Sequence, residues 1–149
     1  MWGVKNKCCT FRRTILPRKR PKIRENMMSE LKKTKQCVNC PWRVESQPQN
    51  IPNGYTIDNH LDLSCTIANS ENPINDYLDH LQSGVLHVMV CHQTVDAYCI
   101  GWLMNQLGNG NNIALRINTI NIKNIYDVKL IGEQHKTFED TVAFRKLLS

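Results

Sequence analysis

Two cysteines two residues apart, in Cys37-Val38-Asn39-Cys40-Pro41-Trp42-Arg43, are followed about fifty residues later by Cys91-His92 and Cys99. A Cys-x-x-Cys turn points both sulfurs at one centre. If Cys91 and Cys99 share that centre, the chain must fold the first segment onto the second. No other stretch constrains the fold as tightly.

Composition narrows what such a centre would be. The 149-residue chain holds seven cysteines, at positions 8, 9, 37, 40, 65, 91 and 99. The N-terminus has charges throughout and no apolar run of signal-peptide length, so nothing suggests export. An odd count without an export signal argues against a disulfide framework and for metal ligation or thiol redox chemistry in a reducing cytoplasm. No apolar run reaches the roughly 18 residues of a membrane span, so no membrane association is expected.

The net charge of +6 is unevenly distributed. Residues 1–36 carry twelve Lys or Arg and two acids, while the remainder carries seven basic and eleven acidic residues. Basicity belongs to an arm, and the body is mildly acidic. Residues 1–27, punctuated by Pro17 and Pro21, read as a basic disordered arm, or as an over-extended start ahead of Met27 and Met28. Residues 28–149 read as the folded domain. The arm, residues 1–26, could bind nucleic acid through phosphates alone, without sequence preference.

Within the domain, Ser29 to Gln36 suits a short helix, residues 44–54 an extended loop, and Tyr55 to Ile67 a helix. Asn72-Pro73 is a helix start. Ile74, Tyr77, Leu78 and Leu81 then recur at helical spacing, predicting a buried face. Gly84 stops that helix. Val85 to Val90 is apolar and β-branched, predicting a buried strand that ends at Cys91. Ala97 to Leu107 reads as a helix with Cys99 in its first turn and Gly108 as its stop. Ile113 to Leu130 suggests one or two short strands. Thr137-Phe138-Glu139-Asp140 resembles a capping box opening a terminal helix. The expected fold is therefore a small α+β domain, with a short sheet, three or four helices and a cysteine-ligated metal centre.

The candidate ligands are Cys37, Cys40, Cys91 and Cys99. Four thiolates suit zinc or a [4Fe–4S] cluster equally. His92 is an alternative ligand or a hydrogen-bonding neighbour of one, and Cys65 is a fifth ligand or exchange partner, or a core residue on a helix face. Trp42 and Trp102 would shield the centre, and Arg43 would offset its charge. Two other readings stay open: buried core cysteines, and a redox-active dithiol at Cys37 and Cys40. The first would leave no site at all, and the second would make the protein a thiol or iron–sulfur redox enzyme. No phosphate loop, Ser/His/Asp arrangement or carboxylate pair stands out, so a metal-binding interaction or regulatory module with a protein partner is favoured over an enzyme.

Cys37-Val-Asn-Cys-Pro-Trp-Arg, Cys91-His-Gln-Thr, Cys99-Ile-Gly-Trp and Leu115-Arg116 together resemble a family of small bacterial and phage or prophage proteins classed as a domain of unknown function, DUF6283. The resemblance covers roughly residues 35–118 and implies a small, cytoplasmic, metal-binding protein with no established activity. The Cys-x-x-Cys-Pro-x-Arg segment also resembles the cluster-binding segment of WhiB-type iron–sulfur regulators. The order and spacing of the other cysteines differ, so that function is not carried over.

Overall fold

A computed structural model describes residues 30–46, 51, 54–94 and 96–146. The basic arm, with the nucleic-acid expectation attached to it, lies outside the described residues. The described residues form five α-helices: α1 (Ile57–Asp62), α2 (Pro73–Ser83), α3 (Ile100–Leu107), α4 (Ile113–Thr119) and α5 (Phe138–Lys146), with 3₁₀ turns at Leu63–Thr66 and Ile125–Asp127. No β-strand occurs among the described residues; pairing is confined to isolated bridges at Lys35–Lys129, Arg43–Gln134 and Val90–Tyr98. The expected α+β fold with a sheet is thus corrected to a mostly helical one.

The physical reason lies in partners. Val85 to Val90 is extended and buries Leu86, Val88 and Met89 as a strand would. It pairs only at its end, where the Cys91 amide donates to Ala97 O and the Cys99 amide to Met89 O, both at 2.9 Å. A sheet needs a second long strand, and the described residues supply none. The stretch expected to supply one, Ile113 to Leu130, instead starts α4, because the Asn112 side chain accepts from the Leu115 amide at 2.9 Å. That cap outweighs the β-branched residues behind it. Residues 30–36 are not helical either. They run extended, with the Gln36 amide on Lys129 O at 3.0 Å and the Lys129 amide on Thr34 O at 2.8 Å.

Helix termini follow their local chemistry more closely. Gly84 closes α2 in the left-handed region at φ 65°, where a side chain would strain the backbone. Thr137 and Asp140 form a reciprocal box: the Asp140 amide donates to Thr137 Oγ1 and the Thr137 amide to Asp140 Oδ2, each at 3.1 Å. These hydrogen bonds from Thr137 hold the Asp140 carboxyl below its usual range. The predicted burial of the α2 stripe fails, however. Ile74, Leu78 and Leu81 are exposed, and Tyr77 is half-buried.

α1 packs on α5, α2 on α4, and α3 on α4. The α1–α5 joint is polar: His60, fully buried, meets Thr141 Oγ1 at 2.6 Å through Nε2 and the Tyr55 hydroxyl through Nδ1. Thr141 spends its hydroxyl proton on Phe138 O, 2.6 Å away. It must then accept from His60 Nε2–H, and Nδ1 is left to the Tyr55 hydroxyl. The apolar core gathers Trp42, Met89, Trp102, Leu103 and Leu115, all essentially inaccessible. Cys40 and Cys99 lie within it.

Candidate metal centre

The Cys37–Arg43 turn is built from the backbone outward. The Cys40 amide donates to Cys37 O at 3.2 Å, and the Arg43 amide to Cys40 O at 3.1 Å. A distant segment then pins the turn in place: the Val44 amide reaches Glu133 O at 3.0 Å and the His135 amide Trp42 O at 2.9 Å. Arg43 completes the clamp. Its guanidinium donates to Val38 O, to Ile131 O at 2.9 Å and to Glu45 at 2.8 Å. The expected charge-offsetting role is therefore replaced by a mechanical one, since these hydrogen bonds go to the turn and not to sulfur.

The second half of the site comes from the segment around α3. Cys91 ends the extended run, and Cys99 sits at the N-cap of α3 rather than in its first turn. The helix enters so closely that Gly101 is required: a Cβ there would lie 2.5 Å from Trp42 Cβ, 2.7 Å from Gln36 Nε2 and 2.8 Å from Cys40 Sγ. The glycine of Cys-Ile-Gly-Trp thus lets α3 touch the cysteine turn. Spacing alone carried that signal, and its physical meaning emerges only from the packing.

The four sulfurs are brought together. Cys37, Cys40, Cys91 and Cys99 are all free thiols. Cys40 Sγ and Cys99 Sγ are 3.6 Å apart. Cys37 interacts with both Cys40 and Cys91, which push its thiol up. The result is one connected chain, Cys91–Cys37–Cys40–Cys99. It is not a ready ligand cage: among the described residues no group of three or more Cys, His, Asp or Glu side chains is placed to hold a metal ion. Thiols that satisfy one another by S–H···S contact turn inward in pairs, whereas metal ligands surround a common point.

The electrostatics favour thiolate in part of this chain. Hydrogen bonding from Cys37, then from Cys99, holds Cys40 well below the ordinary thiol range, with the Trp42 amide and Gln36 side chain adding to it against the cost of burial. Cys91 is held down to about 4 by Cys37, by the amides of Gln93 and Thr94 and by Lys33. The donors are correspondingly raised. Cys37 goes up through its bonds to Cys40 and Cys91, and Cys99 through Cys40 and its own burial. The Trp102 amide in the first turn of α3 opposes that rise at Cys99, although Cys99 makes no side-chain capping hydrogen bond. Amides and a cation aimed at sulfurs are what thiolate ligands require.

Lys33 is the residue that sequence reasoning missed. Its Nζ lies 3.3 Å from Cys91 Sγ. In the sequence it belongs to a basic run and looks like the end of the arm. The other expected neighbours divide. Trp42 and Trp102 are buried; one indole N–H meets Met89 Sδ at 3.4 Å and the other Thr66 O at 3.1 Å. His92 packs its ring on Tyr55, centroids 4.1 Å apart. Cys65 is disulfide-bonded, so it offers no free thiol.

Among the described residues no helix is long and apolar enough to cross a membrane. No protein-family model matches the chain, and neither does any curated protein or solved structure.

Proposed function

We propose that this protein is a metal-stabilised interaction or regulatory module, in which Cys37, Cys40, Cys91 and Cys99 hold one zinc ion. The observation that carries the reading is the connected chain of four free thiols, drawn from two segments about fifty residues apart. Tetrahedral zinc with bonds of about 2.3 Å spaces its sulfurs by about 3.8 Å. The 3.6 Å between Cys40 and Cys99 is close to such an edge. The inward-turned pairs would open around the ion by side-chain rotation, chiefly of half-buried Cys37 and of Cys91 beside Lys33.

Zinc would act here as a staple. With four protein ligands no coordination position is left for substrate, which separates a structural from a catalytic site. Exposed Ile120 and Tyr126 offer apolar surface to a protein partner. Four free thiols suit a reducing, cytoplasmic setting, and the Cys65 disulfide is the one feature that does not. A [4Fe–4S] cluster is the second reading, favoured by the Cys-Pro-x-Arg segment. It would need the sulfurs to stand apart around a four-iron body, further than Cys40 and Cys99 stand.

Elemental analysis with a visible spectrum recorded anaerobically tests the proposal. A colourless protein with one zinc per chain is expected, and brown colour with iron and sulfide selects the cluster. Reversible two-electron cycling at Cys37 and Cys40, in a metal-free and stably folded protein, would overturn both in favour of a redox enzyme.

A further inference from the structure

α2 carries an apolar stripe that the described residues leave exposed. Ile74, Leu78 and Leu81 are 64%, 47% and 56% accessible, although their spacing is that of a core-facing helix. Beside the stripe, Asp76, Asp79, His80 and Ser83 line one wall of a cavity of about 240 Å³ whose opposite wall includes Cys65 and Thr66. Asp76 and Asp79 are the acidic residues of that lining, and the stretch that carries them is acidic. Between Arg43 and Arg116 the sequence has seven Asp or Glu and no Lys or Arg.

Residues 1–29 have the complementary character: nine Lys or Arg against Glu25 alone, with Phe11, Ile15 and Leu16 interleaved. Their starting point is anchored. Leu31 is fixed to Asn124 by two hydrogen bonds, Leu31 N to Oδ1 at 2.7 Å and Nδ2 to Leu31 O at 3.0 Å. Asn124 follows α4, the helix on which α2 packs. An extended chain of 29 residues spans at most about 95 Å, so reach imposes no limit.

We infer that the basic N-terminal segment docks on α2, its apolar side chains on Ile74, Leu78 and Leu81 and its Lys and Arg side chains on Asp76 and Asp79. Cys65 supplies the tether. It is disulfide-bonded while Cys37, Cys40, Cys91 and Cys99 are free, and the inference makes Cys8 or Cys9 its partner. The arm then serves as an internal ligand for an acidic face, in competition with any external polyanion for its Lys and Arg side chains. This inference is independent of the metal reading.

Limited trypsin digestion of the full chain, without reductant, tests it. The nine basic residues of the segment should be cleaved about tenfold more slowly than in a variant carrying Ile74→Ser, Asp76→Asn, Leu78→Ser and Asp79→Asn, because proteolysis follows the undocked population. All four positions are on the surface helix, so the variant should stay folded, which circular dichroism checks. Peptide mapping on the same unreduced sample should link Cys65 to the Cys8–Cys9 peptide. Equal cleavage in both proteins, or cleavage of the native arm at the rate of a free peptide, overturns the inference. So does protection that appears only at high protein concentration, which would place a second copy on α2, or only with added nucleic acid.

Discussion

Cys40→Ser should leave a protein that neither retains metal nor unfolds cooperatively at 37 °C. Cys40 is completely buried, contacts Cys99 and Cys37, and sits in the apolar core between Trp42 and α3. Structural zinc in finger peptides is worth on the order of 10 kcal/mol, comparable to the whole stability of a small domain at about 5–15 kcal/mol. The fold described here has no sheet to fall back on among the described residues, only short helices and isolated bridges. Cys37→Ser should be milder, because Cys37 is half-exposed at the edge of the site. Thermal unfolding followed by circular dichroism, with and without a chelator, separates the cases. Wild type should lose its transition on chelation and Cys40→Ser should lack one throughout. A Cys40→Ser protein that melts like the wild type would remove the staple from the account.

Gly101→Ala carries the second large effect, with a sign opposite to helix propensity. At an open helical position this change stabilises by roughly 0.5–1 kcal/mol. Here the new methyl would meet Trp42 Cβ at 2.5 Å and Cys40 Sγ at 2.8 Å. Neither neighbour is the loose end of a flexible chain, since the turn behind them is clamped by Arg43 and by hydrogen bonds to residues 133–135. Overpacking a tight core costs about 1–3 kcal/mol, and displacement of Cys40 from the ligand set adds to it. The denaturant midpoint of the variant should drop, and metal should be lost at lower chelator concentration than in wild type. An unchanged or raised midpoint would mean that α3 does not sit on the cysteine turn as described.

What the sequence made legible was local chemistry. Pro73 starts a helix through its fixed φ, although the Asn72 side chain makes no capping hydrogen bond, and Gly84 and Gly108 stop helices through neighbouring backbone groups. The Thr137–Asp140 box closes as its spacing requires. The Cys37–Cys40 pair was legible as a turn, and the structure brings Cys40 Sγ within 3.6 Å of Cys99 Sγ. What depended on distant partners was not. Val85 to Val90 has strand character and no strand to pair with beyond the bridge at Val90–Tyr98. The periodicity of Ile74, Leu78 and Leu81 shows which side of α2 is apolar and is silent on what covers it. Arg43 departs from its expected role and Lys33 takes one not expected of it for the same reason: charge is visible in a sequence, but its direction is not. Lys33 reaches Cys91, and Arg43 turns to carbonyls of its own turn and of Ile131.

The central claim is that four cysteine sulfurs surround one ion, and X-ray absorption at the metal edge of the purified full-length protein addresses it most directly. The account predicts a zinc edge with four sulfur neighbours at about 2.3 Å and no nitrogen or oxygen in the coordination sphere. A shell containing imidazole nitrogen, a second metal atom in the scattering, or a folded protein with no bound metal to measure would contradict it.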